Sequence, residues 1–409
     1  MQRLTTLDNG LRIVSRTMPS VETVAVGLQC DAGSRRENGR ENGLAHLYEH
    51  MVFKGAGGRS ARDLAEAVED VGGDLNAMTG REGTVFSARL LADDLGLGLE
   101  LIADMILDPH FDPVELEREK LVIEQEMAEV NDNAGDLIFD DLQMACYPDQ
   151  PLGRSILGSL ESLRGLTRDD LIAWRDTNYE PGSLIIVAAG ALDHDELVDL
   201  AARRFGDLAP VTRPQVHAAR FTPRAIDRTR PAEQVHLCLG WEGPATAAPG
   251  LFAARIFCEA VGGGMASRLF QELREERGLA YTVYATHAPF LDTGLFSVYA
   301  ATAPADTNAA RDLALKVLNE AADDLDEREL SRARALAKAG LLMALESCEG
   351  QASYVARQLL VHGRLVEPSE VVDRLESLTL DEVRAAGKSL LASDPALAVI
   401  GAGHGLDLP

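Results

Sequence analysis

The sequence predicts an α+β protein of two homologous domains, each a mainly antiparallel sheet with helices packed on one face. Three observations predict it. Short alternating strands are mixed with amphipathic helices of about ten or more residues in no strict β-α-β-α order, which favours segregated layers over a doubly wound parallel sheet. The same series of elements recurs after about 200 residues, a period that means a duplicated domain rather than a solenoid. Each copy also closes on a similar apolar strand, LIIVAAG from Leu184 and LAVIGAG from Leu397.

The elements follow in order. The start, MQRLTTLDNGLRIVSRTMPS, reads as two short strands around the turn Asp8-Asn9-Gly10. It has no apolar signal core and no small-residue cleavage site, so no secretion signal is expected and the cytoplasm is the expected compartment. An alternating strand, Val24 to Cys30, leads through a Gly-containing loop into the helix of GLAHLYEHMVFKG. A further helix, a Gly turn and a strand pair follow in LAEAVEDVGGDLNAMTGREGTVFSARL. The second half repeats this with a strand from Gln234 to Trp241, a helix in PGLFAARIFCEAVGGG, and ASRLFQELREERGLAYTVYATHAPFLDTGLFSVYAA. Between the halves, APVTRPQVHAARFTPRAIDR is rich in Pro and Arg and reads as a linker. The expected domains are therefore residues 1–208 and 229–409, joined by 209–228.

Composition excludes several function classes. With 46% hydrophobic and 25% charged residues the chain is an ordinary globular protein, and no apolar run reaches the roughly 18–20 residues of a membrane span. A net charge of −26 disfavours nucleic acid, whose phosphates need clustered Lys and Arg. It serves solubility and suits a basic peptide as partner. The five cysteines, Cys30, Cys146, Cys238, Cys258 and Cys348, are odd in number and form no C-x-x-C pair. That argues against a disulfide framework and thiolate zinc ligands, and fits a reducing compartment.

The chemistry is concentrated in His46-Leu47-Tyr48-Glu49-His50. On a helix, residues four apart have Cβ atoms about 5–6 Å apart, so both imidazoles can converge on one metal ion. Glu49 flanks the same face and can reach a water there. H-x-x-E-H is the inverted zinc-hydrolase motif. The helix around Ala253 to Val261, its counterpart in the second half, has no such motif. Two histidines leave the site a ligand short, and the acidic helix PVELEREKLVIEQEMAEV offers several carboxylates. Asp112 and Pro113 suit its start, Leu116 and Ile123 form a core-facing stripe, and Glu119 and Glu126 lie two turns apart on one face. Periodicity alone does not choose among them.

The segments GLAHLYEHMVFKG, GGDLNAMTGREGTVF and ELEREKLVIEQEMAEV resemble the pitrilysin/insulinase family of inverted-motif zinc metallopeptidases, which includes the mitochondrial processing peptidase. The likeness continues through DQPLGRSILG into the second half. It implies one Zn2+ per chain held by His46, His50 and Glu126, the last 76 residues beyond His50. Glu49 would then be the general base, and Glu119, seven residues before the third ligand, a supporting acid. Asn76-Ala77 would lie on an edge to which an extended peptide adds as a strand. Met78 stands where the family often has an aromatic residue. FQELREERGLAYTVYA resembles the segment whose Arg and Tyr reach substrate, here Arg274 and Tyr281, which bind the peptide and the developing oxyanion. Family members of this length resemble half of a clamshell closed by a second subunit. The resemblance thus implies an endopeptidase for short or unfolded peptides, working as a homodimer or with a related subunit. Non-catalytic scaffold relatives typically have a broken metal motif, and this one is intact.

Overall fold

In a computed structural model that describes residues 2–406, the first half of the chain builds a six-stranded sheet and the second half a five-stranded one. The first half runs β1 (Gln2–Thr6), β2 (Arg12–Thr17), β3 (Thr23–Cys30) and α1 (Leu44–Val52). A short hairpin, β4 (Gly55–Ala56) and β5 (Arg59–Ser60), leads to α2 (Ala61–Glu69), which Ser60 and Asp63 start with a reciprocal capping box. Then come β6 (Asp74–Thr79), β7 (Thr84–Leu91), α3 (Leu95–Leu107), α4 (Pro113–Asp132) and α5 (Ala134–Cys146). The half closes with α6 (Leu160–Gly165), α7 (Arg168–Asn178), β8 (Leu184–Gly190) and α8 (His194–Phe205). The strand order is β1-β2-β8-β3-β7-β6, and every pairing is antiparallel except β2 with β8.

The second half contains β9 (Ala225–Arg228), β10 (Val235–Gly243) and α9 (Leu251–Gly262), then a π-helical turn at Phe270–Glu276. β11 (Ala280–Pro289), β12 (Gly294–Thr302), α10 (Thr307–Asp324), α11 (Glu327–Ala344) and α12 (Cys348–His362) follow. The last elements are α13 (Pro368–Ser377), α14 (Leu380–Leu390) and β13 (Ala396–Ile400). The order is β11-β12-β10-β13-β9, again antiparallel but for one pair, β13 with β9. Ala225–Arg228, at the end of the segment read as a linker, is thus a strand of this sheet. Among the described residues, no helix is long and apolar enough to cross a membrane.

Two compact units emerge, and each draws on both halves of the sequence. One comprises the chain up to Met127, Arg154–His217 and Ala344–Val366; the other comprises Ala128–Gly153, Ala218–Met343 and the chain from Glu367. In the first unit, Val24, Val26, Leu28 and Ile186 of the sheet pack on Leu47, Met51, Leu99 and Ile102 of α1 and α3. The opposite face, with Val14, Ala25, Ile185 and Val187, is covered by Val355, Ala356 and Leu359 of α12. In the second unit, Leu239, Phe296 and Val298 pack on Ile256 and Phe257 of α9, while Cys238, Leu295 and Ala398 on the reverse face meet Ile138 and Leu142 of α5. Helices from the same half therefore lie on one face of each sheet, as expected, and one helix from the other half seals the reverse face. This explains why β8 and β13 are apolar throughout: a strand buried on both faces has no solvent side on which to alternate.

Two predictions test this layering. Leu359→Ala should cost about 2–5 kcal/mol of unfolding free energy in urea titrations, because it removes buried methyl groups and leaves a cavity. His287 on β11 has its pKa pushed from 6.5 down to about 4 by burial and by the charge of Arg255. The unfolded chain takes up a proton below pH 6.5 that the native ring refuses, so this contribution is complete above 6.5 and lost as pH falls towards about 4. His287→Gln should flatten that acid limb; an unchanged pH dependence of the urea midpoint would refute the assignment.

Candidate metal centre

The centre is built on α1, whose sequence has two faces. Leu44, Ala45, Leu47, Tyr48, Met51 and Val52 are buried in the core of the first unit. His46, Glu49 and His50 lie on the remaining edge, half-buried. The i,i+4 spacing brings the two imidazole rings to 4.6 Å between centroids, with planes 63° apart. Both expectations for the motif, a helix and a shared face, are met.

The carboxylates come from α4. Asp112 starts this helix by accepting the N–H groups of Val114 (2.8 Å) and Glu115 (3.2 Å). Leu116 and Ile123 enter the core, which turns Glu119 and Glu126 towards α1. Glu126 Oε2 lies 3.9 Å from His46 Nε2 and 3.6 Å from His50 Nε2. One donor atom each from His46, His50 and Glu126 falls within 4.8 Å of the others. Ligand atoms about 2.0–2.1 Å from a zinc ion lie closer together than these pairs, so the donors would draw in around an ion.

Local chemistry fits such an ion. Burial, and secondarily the neighbouring His50, pushes the His46 pKa from 6.5 down to about 4, which keeps the ring neutral and its lone pair free. Glu49 presents a buried Oε2 without a hydrogen-bond partner on the same helix edge. An orphaned carboxylate oxygen is costly unless something polar completes it, and water beside a metal would do so. Two imidazoles and a carboxylate are zinc-type donors.

Behind the donors lies a second set of contacts. Glu119 is 5% exposed; its Oε2 lies 3.1 Å from His50 Nδ1, and its Oε1 accepts from Lys54 Nζ at 2.8 Å. A carboxylate on the far nitrogen of a ligating histidine fixes ring orientation and tautomer. Lys54 offsets the buried charge of Glu119. Lys54 has no role in the sequence expectations, although it stands only four residues beyond His50, in the turn that follows α1.

The remaining candidates fall into two groups. Asn76 and Ala77 lie on β6, which ends the first sheet and so keeps one backbone edge unpaired by β7. Asn76 is exposed with Oδ1 accepting from the Ala77 N–H at 2.8 Å, and Met78 is 68% exposed. Arg274 and Tyr281 belong to the second unit and meet each other: the guanidinium carbon lies 5.1 Å from the Tyr281 ring centroid and 4.8 Å from that of Phe270. Arg274 sits in the π-helical turn, and Tyr281 is exposed on β11, the edge strand of its sheet.

The chain is similar to known peptidases along nearly its whole length. The profile described as "Insulinase (Peptidase family M16)" matches residues 12–160, and "Peptidase M16 inactive domain" matches residues 165–336. A Rickettsia felis protein described as an uncharacterized zinc protease is 33% identical over 396 residues, covering 97% of this chain and 96% of that protein. A Bacillus subtilis protein with the same description is 32% identical, covering 97% of each chain. Among solved structures, a protease from Helicobacter pylori aligns with a TM-score of 0.89 at 20% identity, over 98% of this chain and 99% of that one. The peptidase M16 inactive domain from Pseudomonas fluorescens aligns at 0.91 and 22% identity, over 98% of each. These two likenesses establish the two-domain fold.

Glu119→Gln should weaken zinc binding about 10–100-fold through loss of the His50 contact, as such outer partners do in metal sites. Competition with a chelating indicator reads it, and affinity equal to wild type would remove Glu119 from the site.

Proposed function

The chain belongs to the insulinase family of peptidases, family M16, and on that premise we propose that it is a zinc-dependent endopeptidase acting on short or unfolded peptides. The observation that carries this reading is the convergence of His46, His50 and Glu126 beside the unpartnered Glu49 oxygen. The zinc protease descriptions of full-length relatives support it.

His46, His50 and Glu126 would hold one zinc ion per chain. The ion supplies Lewis acidity, which acidifies water and polarises a scissile carbonyl. Glu49 acts as general base: its Oε2 takes a proton from the attacking water and returns it to the leaving amine. A glutamate suits both steps, being ionised at neutral pH yet able to carry one proton. Glu119 orients His50. An extended peptide adds as a strand along the free edge of β6 at Asn76-Ala77, with main-chain hydrogen bonds giving affinity. Arg274 holds a substrate carbonyl and Tyr281 donates to the oxyanion.

A second copy of the chain completes each site by supplying Arg274 and Tyr281, so the working form is a homodimer enclosing a chamber. The excess of acidic groups favours basic peptides, and the cytoplasm is the compartment in which five reduced thiols fit.

Glu49→Gln should keep zinc and lose turnover by about 10²–10⁴-fold, the range general acid–base catalysis supplies. His50→Ala should lose both metal and activity, read by elemental analysis. A Glu49→Gln protein that cleaves an unfolded basic peptide at the wild-type rate would overturn the role, and absence of zinc and of cleavage in the wild type would favour a scaffold subunit. Mixing Glu49→Gln with Arg274→Ala protomers should restore part of the activity; no recovery would count against sharing between copies.

A further inference from the structure

Glu37 has no part in the chemistry described so far, yet it is 2% exposed and ionisable. A side chain of this kind is rarely buried without partners, and Glu37 has several. Its Oε1 accepts the Ala45 N–H at 2.7 Å, and its Oε2 accepts the Gly43 N–H at 2.9 Å and the Asn42 amide at 3.2 Å. These are donors at the start of α1, where a helix leaves its first N–H groups without internal partners. The N-cap itself, Gly43, has φ +95° and no side chain to supply a cap. Glu37 thus caps α1 from outside, six residues upstream of the usual position.

The same loop is fastened elsewhere. Ser34 N–H donates to Gly80 O at 3.2 Å, and Arg35 N–H donates to Arg81 O at 2.8 Å, which ties the loop to the turn between β6 and β7. The Arg35 guanidinium donates to Glu82 in that turn. Thr79 Oγ1, at the end of β6, donates to Ala45 O at 3.4 Å. From the other side, Arg154 donates to Glu37 O at 3.0 Å and Ser155 O accepts from Asn42 at 2.9 Å. A Cβ at Gly43 would stand 2.7 Å from Leu157 O, and one at Gly158, at φ +82°, would stand 2.4 Å from Asn42 O. The segment RSILG, prominent in the sequence but without a role in the chemistry, is packed directly on this cap.

We propose that Glu37 is a positioning residue of the metal centre: its carboxylate holds the start of α1 in register with the β6–β7 turn, and so aims His46, Glu49 and His50 relative to the peptide-binding edge. The proposal rests on the reading of α1 as the metal helix. Asp at this place would be too short to reach both N–H groups, and Gln would turn a donor towards one of them. Burial pushes the Glu37 carboxyl up to about 7 against the pull of these N–H donors, so the charged cap predominates at pH 8.

The test uses the full chain at pH 8 with Glu37→Gln, and with Leu359→Ala as a variant destabilised on the opposite face of the sheet. Zinc affinity is measured on metal-free protein by competition with a chelating indicator, and hydrogen exchange is followed at the Gly43 and Ala45 amides. Glu37→Gln should weaken zinc about 10–100-fold, lower kcat with KM within twofold, and speed exchange of the two amides at least about tenfold. Leu359→Ala should do none of these at a temperature where both variants are folded. Should Glu37→Gln not fold, Glu37→Asp carries the same readouts. Wild-type zinc affinity and exchange in the Glu37 variant, or equal zinc loss in Leu359→Ala, would overturn the proposal. Failure of the wild type to take up zinc would instead sink the peptidase reading, while the exchange measurement still decides the cap.

Discussion

A helix of nine residues cannot hold two imidazoles in place by itself. Isolated helices shorter than about 12–15 residues are marginal in water, so the direction of α1 is set by what surrounds it. Three constraints do this together. Six buried side chains lock its rotation about its axis, the Glu37 carboxylate fixes its start, and the contacts of Glu119 with His50 and Lys54 fix its end. The rest of the first unit is arranged around that helix. α4, with twenty residues and its own Asp112 cap, is the long element against which the short one is set. A metal site tolerates errors of only about 0.5 Å in its donors, which is why so much packing converges on so few residues.

Electrostatics sharpen the same point. The chain carries a net charge of −26, and most of its acids are solvated. The few that are buried near α1 are held by specific donors: Glu37 by N–H groups, Glu119 by Lys54. A buried carboxylate without such partners would take up a proton or disrupt its surroundings. Glu49 departs from this pattern, with one buried carboxylate oxygen unpartnered, as are His46 Nδ1 and the Tyr48 hydroxyl on the same helix. An unpartnered carboxylate oxygen on the helix edge that carries both histidines is where a group kept for chemistry is expected.

Much of this was legible in the residues. The i,i+4 histidines needed only helical periodicity, and Leu116 and Ile123 announced which way α4 faces. Choosing Glu126 over its acidic neighbours needed the family resemblance, because on a helix with glutamates at Glu115, Glu117, Glu119, Glu124 and Glu126 periodicity offers several equal candidates. Lys54 was within reach of the same spacing argument. Glu37 was not, since its partners are backbone N–H groups, which every residue has and no pattern marks. The sealing of each sheet by a helix from the other half left one trace, the unbroken apolar runs LIIVAAG and LAVIGAG. Strands that never alternate must be covered on both faces, although nothing in them says by what.

The duplication also accounts for the division of labour. α9 occupies in the second half the place of α1 in the first, but nine of its twelve residues are buried, and Phe257 and Cys258 stand in a helix with no histidine. Its face has been given over to packing, and metal donors there would be polar groups without partners. What both halves retain is the strand that follows: β6 and β11 each begin a hairpin and each end their sheet. In the first half that edge runs beside α1, whose Ala45 carbonyl receives the Thr79 hydroxyl. In the second it carries Tyr281, stacked on an Arg274 that a π-helical turn, a rare conformation frequent at functional sites, holds in place. A helix followed by an edge hairpin occurs in both halves, and the His-x-x-Glu-His donors in the first alone: an edge costs the fold only an unpaired strand, whereas donors cost it buried polar atoms.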